Sequence, residues 1–324
     1  MRVGIDTSPL VQTRAGTARV VRGLLAALRD RPGVELELLS FGGPGRVSSL
    51  VRDVLWYPAG LGRTARGLDV LHCTTFRGPV GSGSATPTVV TVHDLAILRA
   101  PEAFPRWHRL YGKGGLTRVL RAAGAIVAVS EFTKSEVIAL ADVPAERIRV
   151  VPNGVDAVFT PAGPRADGDY VLAVATLEPR KNLGRAVAAA QEAGIELRVV
   201  GARGWGGVVV GGWVGEVPDS ELAELDRGAR CVVYPSLYEG FGLPVLEAMA
   251  CGTPVVTSRG TAMEEVAGGT AVLVDPLSVA EIAAGIREAS SRRDELAPAG
   301  LARAQEHTWQ RTADAVVELW SELA

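Results

Sequence analysis

Cysteine, lysine, aromatic residues and net charge are all scarce in this 324-residue chain, and each shortage closes off a class of protein. The three cysteines, Cys73, Cys231 and Cys251, show no metal-ligand spacing, and each lies in or beside an apolar run. They read as small core residues of a reducing compartment, not as a disulfide framework. Basic residues number 34 against 36 acidic ones, so a net charge of -2 gives no global attraction for nucleic acid. No apolar run approaches the ~18 residues of a membrane span. The start, MRVGIDTSPL, lacks the long apolar stretch of a signal peptide. A cytoplasmic protein is the expectation. What the chain does have is 47% hydrophobic residues and enough length for two ordinary domains with real cores.

Short β-branched runs alternate with helical patterns, the signature of βαβ units and parallel sheets. Strands are expected near 2–5, 34–39, 69–72, 88–92, 125–129, 148–151, 170–176, 196–200, 231–235 and 254–258. Amphipathic helices are expected over 18–30 and 183–194. Polar or glycine residues follow the strands: Asp6 and Thr7, His93 and Asp94, Ser130, Asn153 and Gly154, Glu178, Gly201, Ser236. Ligands of open parallel sheets bind beyond the carboxyl ends of strands, so a site would be built there. The stretch FTPAGPRADGDY, 159–170, reads as a boundary between two domains. The expected division is 1–160, 161–305, and a final helix over 306–324 with Trp309, Val316, Leu319 and Trp320 as its apolar members.

The stretch EGFGLPVLE, 239–247, places two glutamates around a glycine-rich turn and a proline. Gly240 and Gly242 disfavour helix, whereas Pro244 suits a first helical position. Glu239 is therefore expected on a loop and Glu247 in the helix that follows, with Leu243 as a cap lacking a side-chain acceptor. Such a helix start, preceded by glycine-rich chain, favours phosphate through free N–H groups and the helix dipole. With a nucleoside diphosphate there, Glu247 could accept from a ribose and Glu239 from sugar hydroxyls. The plainer reading of Glu247 is a charge complementing the helix dipole. Arg180 and Lys181 follow a strand end, and Lys181 is one of only three lysines. His93, one of four histidines, fits either a site or a hydrogen-bonded core position.

YPSLYEGFGLPVLEAMACGTPVVTS resembles the Glu–seven residues–Glu motif of retaining GT-B glycosyltransferases, in the large bacterial family of mannosyl- and glucosyltransferases. GIDTSPLVQTRAGTARVVRGLL, VVTVHDLAILRAPEAFP, AVSEFTKSEV, IRVVPNGVD, LEPRKN and VPDSELAEL resemble further blocks of the family, in family order. The resemblance covers nearly the whole chain. It implies an α/β fold of two Rossmann-like domains facing across a cleft, the first for an acceptor and the second for a nucleotide sugar. It also implies retention of anomeric configuration and no metal. Carried over by position, Glu239 and His93 meet the donor sugar, and Arg180 and Lys181 neutralise the diphosphate. Glu247 meets the ribose, Gly16 with Thr17 approaches the phosphates, and the loop at Val217 holds the base. Thr176, Gly201, Gly240, Phe241, Gly242 and Leu243 complete the donor-binding set. Resemblance to mannosyltransferases puts GDP-mannose first as donor and UDP-sugars next, with a glycan, lipid-linked or small-molecule acceptor. A sugar-nucleotide epimerase of the same architecture is the alternative.

Other motifs carry less. DGD at 167–169 reads as a turn, and GKGG at 112–115 lacks the spacing and hydroxyl of a P-loop. The basic stretch 105–121 reads as a solvated helix face, with peripheral membrane contact as its alternative. Against the family pattern, Ala175 and Thr176 replace a glycine and arginine, leaving more of the phosphate role to Arg180 and Lys181. The segment 201–219 is short, which bears on base specificity, and residues 40 to 70 are compact.

Overall fold

The structure, a computed structural model, describes residues 1–12, 16–43, 45–80, 86–99 and 112–324. It divides into two units, Met1–Gly154 with Trp309–Ala324, and Val155–Thr308. The first holds β1 (Arg2–Asp6), β2 (Glu35–Leu39), β3 (Val70–Cys73), β4 (Thr88–Val92), β5 (Ala125–Ala128) and β6 (Ile148–Val150). They form one parallel sheet in the order β2-β1-β3-β4-β5-β6. Strand alternation distributes the apolar residues between two cores, as a sheet covered on both faces requires. Ala125 and Val127 of β5 join one, Ile126 and Ala128 the other. The helix Trp309–Leu323 contributes Ala313, Val316, Leu319 and Trp320 to the first of these cores. Gly23 makes room for it, since a Cβ there would come within 2.1 Å of the Trp309 ring.

The second unit holds β7 (Tyr170–Val174), β8 (Glu196–Val200), β9 (Trp213–Gly215), β10 (Val232–Tyr234), β11 (Val255–Ser258) and β12 (Val272–Val274). Its parallel sheet runs β12-β11-β10-β7-β8-β9, so the order reverses between β10 and β7. In the first sheet the reversal lies between β1 and β3. At such a point connections leave on opposite faces and open a crevice beyond the strand ends.

The structure departs from the sequence expectations in several places. β9 and β12, three residues each, were not anticipated. β10 stops before Pro235, which has no N–H for a ladder. The segment 159–170 lies inside the second unit. Arg227 holds it there, donating from Nε to the Pro164 carbonyl at 2.6 Å and from Nη1 to that of Thr160 at 3.1 Å. DGD is a turn in which Gly168 has φ 120° and Asp169 pairs with Arg230. Among the described residues no group of three or more His, Cys, Asp or Glu could hold a metal ion, and no helix is long and apolar enough to cross a membrane. Of the basic stretch 105–121, residues 105–111 lie outside the described residues.

Candidate active site

Beyond β7 and β10, the two strands at the reversal, four charged side chains meet. The chain leaves β7 through Thr176 to Glu178, makes a tight turn over Pro179–Lys181, and enters the helix Leu183–Ala193. Asn182 joins turn to helix in the left-handed conformation, φ 58° and ψ 28°, which asparagine tolerates better than most residues. Its Nδ2 donates to the carbonyls of Pro235 at 3.0 Å and Pro276 at 2.6 Å, and its Oδ1 accepts from Arg185 at 2.9 Å. The Leu237 N–H adds a bond to the Arg180 carbonyl, 2.8 Å. These bonds fasten the turn to the loop that carries Ser236 and Glu239.

Glu239 is buried. Its Oε1 accepts from Lys181 Nζ at 2.5 Å, Ser236 Oγ at 2.8 Å and the Tyr234 hydroxyl at 3.0 Å; its Oε2 accepts from Arg180 Nη1 at 2.9 Å. Burial alone would raise its pKa, but the charges of Lys181 and Arg180, with hydrogen bonds from Lys181 and Ser236, hold the carboxyl down at about 2. Burial pulls Lys181 down, yet Glu239 and Tyr234 outweigh it and raise the ammonium. The opposite balance holds at Glu178, where burial outweighs Arg180 and Lys181 and raises the carboxyl. Glu178 still accepts from Arg180 Nε at 2.9 Å, so Arg180 is clamped between two carboxylates. Two cations and two acids thus share one desolvated cluster, and Glu239 can only accept hydrogen bonds.

The helix after Glu239 runs Leu243–Ala250, one residue earlier than expected. Its cap is Gly242, not Leu243, with φ 102°, and a Cβ there would come within 2.9 Å of Met263. Neither residue offers a side-chain cap. Gly240, Phe241 and Glu247 are buried, and Glu247 sits in the second turn, beyond the reach at which a helix dipole acts strongly. Thr176 and Val217 are half-buried, Val217 preceding the Pro218 that caps the helix Asp219–Gly228. Gly201 has φ 148° and a Cβ would meet the Ala175 carbonyl at 2.2 Å, so only glycine fits at the end of β8.

His93, Gly16 and Thr17 belong to the first unit. Gly16 and Thr17 open the helix Gly16–Leu28. His93 follows β4 and donates from Nε2 to the Thr74 carbonyl at 2.9 Å, which leaves Nδ1 as the acceptor of a neutral ring. Thr74 in turn donates to the Asp6 carbonyl at 2.7 Å, linking the ends of three strands. Burial lowers the pKa of His93. His72, on β3, is fully buried against Trp320 and Thr91, and burial, followed by the charge His93 carries once it is protonated in acid, pushes it to about 3. Asp94 caps the following segment, accepting from the Ala96 N–H at 3.0 Å. Glu178 and Ser236, expected at strand ends, join the cluster, while sequence reasoning missed Tyr234 and Asn182. The polar spacing of Tyr234, Ser236 and Glu239 at one strand end was the available signal for Tyr234.

Residues 14–159 match Glycosyltransferase Family 4 and residues 210–302 match Glycosyl transferases group 1. The O-antigen chain mannosyltransferase B of Escherichia coli is 32% identical, over 94% of this chain and 85% of its own length. The chain is a group 1 glycosyltransferase. Solved structures share the fold of this glycosyltransferase across its length. Sucrose-phosphate synthase of Thermosynechococcus elongatus superposes with a TM-score of 0.78 at 19% identity, covering 100% of this chain and 99% of that one. HepE of Anabaena, in complex with UDP-glucose, gives 0.73 at 19% identity and covers 100% of both chains. The two six-stranded parallel sheets of the glycosyltransferase are those of the GT-B fold.

Proposed function

We propose that this glycosyltransferase moves a hexose from a nucleoside-diphosphate sugar to a hydroxyl of a glycan, lipid-linked or small-molecule acceptor, with retention of configuration and without a metal. GDP-mannose comes first as donor because the E. coli relative is a mannosyltransferase; a UDP-sugar comes next because HepE holds UDP-glucose. The observation that carries the reading is the pair of cations at the strand-order reversal, Arg180 and Lys181, organised around an ionised Glu239. A departing diphosphate gains negative charge, and preorganised cations in a desolvated site stabilise it strongly. Lys181, raised in pKa, stays charged throughout. Glu239, held ionised, has no proton to give and orients the sugar by accepting from its hydroxyls.

The other assignments are those the family resemblance implies. The glycine-rich turn Gly240–Leu243 and the helix start meet the phosphates, and Glu247 accepts from the ribose. Thr176 and Gly201 line the donor pocket, and the backbone at Val217 reads the base. Gly16 and Thr17 approach the phosphates, and neutral His93 offers Nδ1 to a hydroxyl of the donor sugar. A cytoplasmic setting belongs to the same reading, since all three cysteines are buried free thiols.

The test is turnover of GDP-mannose and of UDP-glucose with and without acceptor, in excess EDTA, followed by proton NMR of the anomeric signal. Acceptor-dependent product with the donor's configuration is expected. Inverted product would refute retention, and activity lost on chelation and restored by magnesium would refute metal independence. A donor converted without any acceptor would make the protein an isomerase.

A further inference from the structure

The glycine-rich turn Gly240–Leu243 has a support that the donor assignments do not use. Phe241 is 6% exposed, and the His307 ring, 8% exposed, lies edge-on to it with centroids 6.0 Å apart and planes at 67°. His307 follows the helix Arg293–Gln305, and backbone bonds on both sides fix its place. Its N–H donates to the Ala304 carbonyl at 3.0 Å, and its carbonyl accepts from the Val155 N–H at 3.1 Å. The same helix holds the elements around the turn. Gly300 lets it approach the helix Leu243–Ala250, since a Cβ there would come within 3.1 Å of Met249. Arg303 donates to the carbonyls of Val266 at 2.9 Å and Glu265 at 3.0 Å. Both belong to the helix Ala262–Ala267, whose Met263 lies against Gly242.

We propose that His307 is a positioning residue for the donor: its ring holds Phe241 and thereby preorganises the N–H groups of the turn for a diphosphate. This rests on the reading that the turn meets phosphates. Phe241 stands between two glycines, and Gly242 has the left-handed φ of 102°. Glycine leaves the backbone free on either side, so the one side chain between them is the anchor of the turn. A turn held only loosely must be ordered when the ligand arrives, and ordering it beforehand is returned as affinity. An edge-to-face ring pair contributes about a three- to tenfold factor.

Titration calorimetry of GDP, UDP, guanosine and uridine on the full chain tests it. His307→Gln keeps a donor and an acceptor but removes the ring. It should lose about three- to tenfold in affinity for the diphosphate that the wild type binds, and nothing for the matching nucleoside. His307→Phe restores a ring and should bind the diphosphate as the wild type does. In a Phe241→Leu background, where the partner ring is gone, His307→Gln should cost little more. Unchanged diphosphate affinity in His307→Gln, or a loss shared equally by the nucleoside, would overturn the proposal. So would His307→Phe as weak as His307→Gln, or an undiminished loss in the Phe241→Leu background. A wild type with no preference for diphosphate over nucleoside would instead refute the phosphate reading itself, and the proposal would fall with it.

Discussion

Both units place polar groups beyond the ends of parallel strands, next to a reversal of strand order, yet they handle burial in opposite ways. In the first, His93 beyond β4 and His72 on β3 are half-buried and buried, lowered in pKa and hydrogen-bonded to the Thr74 carbonyl and Thr91 as uncharged rings. In the second, Glu239, Lys181 and Arg180 keep their charges by sharing them. A buried group loses hydration in either case; it must then become neutral or be paired. The neutral arrangement suits contact with hydroxyls. The charged one is prepared for a ligand that brings charge of its own, such as a diphosphate.

The sharpest way to break this contrast is to remove a charge from the second unit. Lys181→Ala leaves the buried Glu239 carboxylate with Arg180 as its remaining cation and should lower stability by about 1.5–3 kcal/mol, measured by denaturant unfolding. Lys181→Arg should recover most of it. A loss no larger than that of a surface substitution would mean that the cluster is hydrated and the contrast with the first unit only nominal.

Part of that contrast was legible beforehand. The bounds of β4 and β8 follow directly from their β-branched runs, and Glu239, Arg180 and Lys181 stood out as charges at strand ends. That Lys181 and Glu239, 58 positions apart, form one cluster was not readable, because it requires β7 and β10 to be neighbours. Local patterns carry no information on strand order. The cap at Gly242 was misplaced by one residue because its left-handed φ is a choice of the tertiary fold, imposed against Met263.

His93→Ala sharpens the comparison from the neutral side. Turnover should fall by about a hundredfold, as for loss of one polar contact to the reacting sugar, with nucleotide affinity unchanged. Steady-state rates and calorimetry on one preparation give both constants. Equal losses in the two would place His93 in nucleotide binding; an unchanged rate would make it a core histidine.

Acid should separate the units by pH window. His72 has its folded pKa depressed from 6.5 to about 3, so the unfolded state binds its proton more readily. The stability it lends is complete above pH 6.5 and is lost as pH falls towards 3, about 2 kcal/mol by pH 5. Glu239, depressed from 4.5 to about 2, begins to lose its share only below 4.5. Melting temperatures from pH 7 to 5 should therefore fall in the wild type and fall less steeply in His72→Gln, which keeps the lowered His93. The same slope in both proteins would remove His72 from the account.

A smaller effect is expected at Asn182. Asn182→Ala gives up the left-handed turn and its bonds to two carbonyls, and should cost about 1–2 kcal/mol while raising KM for the donor. Asn182→Gly keeps the backbone conformation but not the two bonds, so it should recover part of the stability and leave KM raised. Full recovery of KM in the glycine variant would show that only the turn matters.

The central claim is that the charged cluster of the second unit receives a diphosphate. Titration calorimetry of a nucleoside and its diphosphate, with wild type and Arg180→Gln, tests it most directly. The diphosphate should bind wild type more tightly than the nucleoside. Arg180→Gln should erase about ten- to a hundredfold of that advantage while nucleoside affinity holds. Equal affinity of wild type for both ligands, or an undiminished advantage in the variant, would contradict the account.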